Sequence, residues 1–146
     1  MLKLRKNKKG FTLVELIVVI AIMAVLAGTV AGVTVIQLNK QTDNANKTQA
    51  KKVADYIASL IIEGDIEYSE TKFVIDGTTP VDLDDTNLNS QFIDKEFPGV
   101  IKGTDKGEIS LTVDNTNKKI KVVYTHKGSG GPTTYTIDDV GIVAEE

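Results

Sequence analysis

Cysteine and tryptophan are absent from this 146-residue chain, which has one histidine, His126, and three prolines. Without cysteine no disulfide can staple a small exported domain, so such a domain must hold itself together by packing. A Cys/His metal centre is excluded, and a lone histidine gives a histidine-based triad little to build on. The third absence is of charge. No charged residue lies between Glu15 and Lys40, and most of what the sequence says about function follows from that gap.

The formal charge of −3 hides a segregation. Residues 1–10 carry Lys3, Arg5, Lys6, Lys8 and Lys9 and no acid. Residues 40–52 carry Lys40, Lys47, Lys51 and Lys52 against Asp43. Residues 53–146 carry eight lysines against eighteen acids. Without its first ten residues the chain is strongly acidic and repels nucleic acid over most of its surface, so no nucleic-acid partner is expected.

Leu16–Ile36 reads LIVVIAIMAVLAGTVAGVTVI, twenty-one residues without a charge. As a helix it spans roughly 30 Å, the thickness of a bilayer core. The denser basic flank precedes it, which puts the N-terminus on the cytoplasmic side. Three readings compete: a secretory signal peptide with a small-residue site near Ala24-Val25-Leu26-Ala27, a plain single-pass anchor, and a precursor cut ahead of the apolar run. Glu15 separates them. A carboxylate in a membrane helix costs about 2.5–3.5 kcal/mol, less near the end of the span, and usually marks function. Neither a signal peptide nor a plain anchor calls for one.

Lys9-Gly10-Phe11-Thr12-Leu13-Val14-Glu15, followed by the apolar run, resembles the N-terminal signature of type IV pilins and their pseudopilin relatives. The resemblance covers about the first forty residues. It implies cleavage between Gly10 and Phe11 by a membrane prepilin peptidase that also N-methylates Phe11. It implies that Glu15, with Thr12 in the same motif, serves assembly, its carboxylate meeting the Phe11 amine of a neighbouring subunit. Two charges that are costly apart in a low-dielectric setting neutralise each other when subunits dock in register. One departure is that many relatives carry a proline about twenty residues after the cleavage point, where the helix unwinds in the filament. This chain has Gly28 and Gly32 there instead. Each glycine weakens a helix by about 1 kcal/mol relative to Ala, and together they form a G-x-x-x-G packing motif.

Beyond Gln37 the helical pattern continues and becomes amphipathic. Val53, Ile57, Leu60 and Ile61 share one face, and Gly64 is a stop. One helix is expected from Thr12 to Glu63. A short strand is expected at Lys72–Ile75, then a short helix capped by Asp84 or Asp85 and running to Phe92, then a turn at Phe97-Pro98-Gly99. Asp82, Asp84, Asp85, Asn87 and Asn89 lack the spacing of a calcium loop, with no glycine at the sixth position and Ile93 at the twelfth. Period-two alternation predicts strands at Glu108–Asp114, Lys119–His126, Thr133–Asp138 and Val140–Ala144, an antiparallel meander. The glycine-rich stretch 128–131 lacks the Lys-Ser/Thr of a phosphate loop and reads as a hairpin connection. Asn46-Lys47-Thr48 fits a glycan sequon but sits in mid-helix.

The expected fold is α+β, a long N-terminal helix with a membrane-spanning first half, packed against a C-terminal antiparallel sheet. Residues 1–10 form a cleaved leader, 11–39 the transmembrane and filament-core half, and 40–146 the globular head. No catalytic site, metal or cofactor is expected. The resemblance implies a structural subunit of a type IV pilus, Gram-positive in type, stored in the cytoplasmic membrane and assembled at the cell surface for adhesion, motility or biofilm. Its partners would be other pilin subunits, the prepilin peptidase, and the assembly ATPase and platform. The alternative is a pseudopilin of a type II secretion or competence system.

Overall fold

The computed structural model describes residues 10–77, 79–128 and 130–146. The expected leader up to Lys9, and Ser129 of the glycine-rich stretch, lie outside them. The chain divides into two compact units, Met1–Leu38 and Asn39–Glu146.

Helix α1 runs from Leu13 to Glu63. It starts one residue later than the pattern suggests because Thr12 serves as its cap: the Thr12 hydroxyl accepts from the Glu15 backbone N–H at 3.3 Å. In the first unit its large apolar side chains are exposed, from Leu13 at 73% to Leu38 at 56%. Its length and composition suffice to cross a membrane. Valine and isoleucine are mediocre helix formers in water. In hydrocarbon a helix satisfies every internal backbone group, and that requirement dominates propensity.

In the second unit the same helix is amphipathic. Ala50, Val53, Ala54, Ile57, Ala58 and Leu60 are buried, the i, i+3, i+4 stripe that the sequence shows. The helix stops at Gly64, whose φ of +89° suits glycine. The Asp65 N–H returns to the Leu60 carbonyl at 2.9 Å and the Gly64 N–H to the Ile61 carbonyl at 3.3 Å. This is a Schellman ending, which satisfies two otherwise orphaned carbonyls.

A three-stranded antiparallel sheet follows, β1 (Ile66–Ser69), β2 (Lys72–Ile75) and β3 (Val81–Asp82). The expected strand at Lys72–Ile75 is β2. Its partners β1 and β3 carried no clear pattern. Helix α2 (Asp85–Leu88) is capped by the Asp84 carboxylate, which accepts from the Asn87 N–H. The chain then widens into a π-helical turn at Asn89–Ile93 and closes with α3 (Asp94–Glu96). This segment therefore runs past Phe92, because Ile93 is fully buried and holds its end in the core. A turn follows at Pro98-Gly99.

The second sheet is a meander in the order β4 (Ile109–Asp114), β5 (Lys119–Tyr124), β6 (Thr133–Asp138) and β7 (Val143–Glu145). Strand β5 ends two residues before His126, as the Lys127 and Gly128 N–H groups turn away to Asp43. Strand β7 starts at Val143 rather than Val140, because the Asp138 carboxylate accepts from the N–H groups of Val140 and Ile142 and holds those residues in a turn. Ile109, Leu111, Ile120, Val122, Tyr124, Tyr135 and Ile137 join the helix stripe in one core. The outer edge of β4 is covered by a parallel bridge from Ile101, which limits edge-to-edge pairing. The two sheets are tied at Asn115, whose carbonyl accepts from the Tyr68 hydroxyl and whose side-chain oxygen accepts from the Phe73 N–H. The architecture is α+β, a long N-terminal helix packed through its second half against C-terminal antiparallel sheet.

Candidate functional site

The residues singled out by sequence lie where the chain enters helix α1. Gly10 and Phe11 precede the helix, both exposed, Phe11 at 92%. A Cβ built on Gly10 meets no atom within 4 Å. The Gly10–Phe11 bond thus lies ahead of the helix, outside regular secondary structure and between exposed residues.

Thr12 and Glu15 close a reciprocal pair. The Glu15 Oε2 atom accepts from the Thr12 N–H at 2.8 Å and from the Thr12 hydroxyl at 2.9 Å. With the return bond to the Thr12 hydroxyl this is a capping box, Thr-x-x-Glu. Both bonds from Thr12 end on Oε2, and the box leaves Oε1 out. The sequence reading assigned Glu15 to a partner amine and missed its local role, although Thr12 three residues before a glutamate is the signature of that box.

Further along the span, the Thr29 hydroxyl donates to the Leu26 carbonyl at 2.9 Å and the Thr34 hydroxyl to the Val30 carbonyl at 2.8 Å. Bonds of this kind carry a hydroxyl through an apolar medium without an outside partner. Gly28 and Gly32 both lie within α1, and a Cβ on Gly28 meets nothing within 4 Å.

In the second unit the first helical turns are held by polar groups. The Asp43 carboxylate accepts from the Tyr124 hydroxyl at 2.7 Å, the Lys127 N–H at 2.7 Å and the Gly128 N–H at 3.2 Å. Burial pushes the Asp43 carboxyl up, but these three donors and the field of His126 outweigh it and leave it below the usual range. Asn46 donates to the Gly107 carbonyl, so its amide is engaged at the place where the sequon would need it free. Lys47 pairs with Glu145 on β7. Large apolar burial begins only at Ala50. Sequence reasoning did not single out Asp43, whose donors lie more than eighty residues away in the chain. His126 shares a hydrogen bond with the Thr133 hydroxyl at 2.8 Å and packs beside the Tyr124 ring.

The acids at 82–89 are occupied structurally. Asp82 pairs with Lys72, Asp84 caps α2, and the Asp85 carboxylate accepts from the Val113 N–H. Among the described residues no group of three or more acidic, histidine or cysteine side chains is arranged to hold a metal.

An exposed glycine–phenylalanine step, a capping glutamate one turn on and a membrane-length apolar helix thus stand together at one end of the described chain. Residues 5–31 match the family model described as the prokaryotic N-terminal methylation motif. Two fimbrial proteins of Pseudomonas aeruginosa are each 28% identical to this chain over 126 residues, covering 86% of it and 73% of their own length. No solved structure matches. The motif and the fimbrial relatives support a type IV pilin, a pilin-like subunit.

Proposed function

We propose that this chain is the precursor of a structural subunit of a type IV pilus and not an enzyme. The observation that carries the reading is the Gly10-Phe11-Thr12-x-x-Glu15 step set at the head of a helix whose large apolar side chains are exposed from Leu13 to Leu38. In this reading the basic leader holds the N-terminus on the cytoplasmic face, and the precursor waits in the cytoplasmic membrane. The prepilin peptidase cuts between Gly10 and Phe11 and methylates the new amine. An assembly ATPase and platform then move the subunit into a homopolymeric filament at the cell surface, where it serves adhesion and motility.

Glu15 has a specific task in that transfer. A docked neighbour presents the Phe11 amine to the Glu15 carboxylate while Oε2 keeps the helix start capped. Charge is then neutralised only in the correct register, so the pair works as a register device rather than a source of stability. The apolar halves exchange lipid contacts for contacts with one another. Gly28 and Gly32 allow close approach or local unwinding in that packing.

The test is the N-terminus of the protein recovered from the cell surface, read by mass spectrometry. N-methylated Phe11 is the expected result. A mature start near Gly28 means a secreted domain behind a signal peptide, and an intact Met1 means a plain anchor; either outcome overturns the proposal.

A further inference from the structure

In the unit Asn39–Glu146 four large apolar side chains are exposed: Ile62 at 71%, Val81, Val140 at 63% and Ile142 at 64%. Three of them lie together. A Cβ built on Gly141 falls 2.8 Å from the Ile62 Cγ1 atom and 3.0 Å from the Ala58 carbonyl oxygen, and Val140 and Ile142 flank that glycine. The β6–β7 turn is therefore pressed onto the last turns of helix α1, which brings the exposed residues Ile62, Val140 and Ile142 close to one another. Glu63, the next residue on the helix after Ile62, sets an acid beside it.

The same helix carries the complement. Lys40, Lys51 and Lys52 are exposed and close no ion pair among the described residues, although the charge of Lys51 acts at longer range on Glu145. Lys47, between them, is taken up by Glu145. Positive charge is gathered at the start of this part of the helix and negative charge at its end. Two copies side by side with no axial offset set like charge against like. Two parallel copies offset by about 17 Å set Lys51 and Lys52 of one beside Glu63 of the other, and an offset of about 35 Å does the same for Lys40.

We propose that the Ile62–Val140–Ile142 patch is a docking surface for a second copy of this chain, which lays its Lys51–Lys52 helix turn across it. The lysine stems cover the aliphatic side chains and the ammonium groups reach Glu63, the arrangement by which long cationic side chains bury their stems and keep their heads hydrated. An apolar centre with a charged rim is the usual anatomy of a protein interface. The charge pattern makes the contact directional, head of one copy to tail of the next, so it propagates instead of closing. This inference rests on the filament reading above and adds to it which surfaces of the heads meet.

The absence of cysteine gives a clean test. The full-length chain is expressed in its own cells as Ile142→Cys, as Lys51→Cys, and as both together, and filaments are sheared off and oxidised. The expected result is a ladder of multimers from the double variant and monomer or dimer from each single one. In parallel, Glu63→Lys is expected to lower filament yield about tenfold, and joining it with Lys51→Glu and Lys52→Glu to restore most of the yield, as like charges are again replaced by opposite ones. Filaments of chains beginning at Phe11 that give no ladder and show no rescue overturn the docking surface and leave the pilin reading standing. Chains that keep an uncut N-terminus and form no filament overturn both.

Discussion

At the scale of single residues, several carboxylates perform tasks that can be separated by experiment. Glu15 is the first. Glutamine also completes a capping box, so Glu15→Gln keeps the helix start and removes only the charge. The proposed role predicts that Glu15→Gln is cut and methylated normally yet fails to enter filaments, as scored by mass spectrometry of the membrane pool and electron microscopy of the surface. Thr12→Ala should do the reverse, weakening the cap by about 1 kcal/mol while leaving the charge, so assembly is reduced and not abolished. Normal filaments from Glu15→Gln would reduce Glu15 to a cap.

Asp114 is the second. The Asn117 side chain and backbone N–H, with Lys121 at 3.2 Å, hold its carboxyl down to about 2. A carboxyl held below its unfolded value near 3.9 contributes stability that is fully present above that value and is lost as pH falls through 2. Acid titration of the wild-type chain should therefore show a loss between about pH 4 and pH 2 that Asp114→Asn lacks. The check is thermal melting at each pH, and an unchanged profile in the variant would remove Asp114 from the account.

At the scale of elements, legibility tracked distance along the chain. Strands β2 and β6 match their expected bounds residue for residue, because alternation and turn residues are local signals. Strand β1 left no such trace. Its hairpin turns through Glu70, at a φ of +55°, where a two-residue turn ordinarily advertises itself with glycine or asparagine. The candidate site divides the same way. Gly10, Phe11 and Glu15 sit within six residues and were readable as a unit. Asp43 finds its donors across the fold, and no pattern in its own neighbourhood announces them. The helix ending makes a quantitative element-scale prediction. Gly64 has a φ of +89° with open space around its Cβ position, the nearest atom being 3.9 Å away. Gly64→Ala therefore costs conformational strain alone, about 1–2 kcal/mol. Ile57→Ala, which empties a site in the centre of the core, costs about 2–5 kcal/mol. Melting of the detergent-solubilised chain should rank Ile57→Ala well below Gly64→Ala, and the reverse order would mean that the helix ending and not the core governs the head.

For the whole molecule, charge segregation is the property that local reading captures least and composition captures best. A chain of formal charge −3 looks unremarkable until its lysines and acids are placed along one helix. If opposite ends of neighbouring heads attract, filaments should loosen as salt rises toward ~1 M, where the screening length falls to about 3 Å. Sedimentation of sheared filaments across a salt series measures this. Filaments indifferent to salt would show that the apolar helix halves hold the polymer unaided.

The way the head grips its helix has a mechanical consequence. Over Asp43, Asn46 and Lys47 the grip is made of hydrogen bonds and an ion pair, and from Ala50 onward it is made of buried hydrocarbon. Water replaces a polar contact as soon as it parts, but it offers nothing to a bared valine or isoleucine. A pull on the N-terminal end of the helix therefore meets two regimes: a compliant one, in which about two turns lift away and settle back, and a stiff one at Ala50, where the head resists as a block. Such a joint yields to a small tug and recoils from it before the core is loaded.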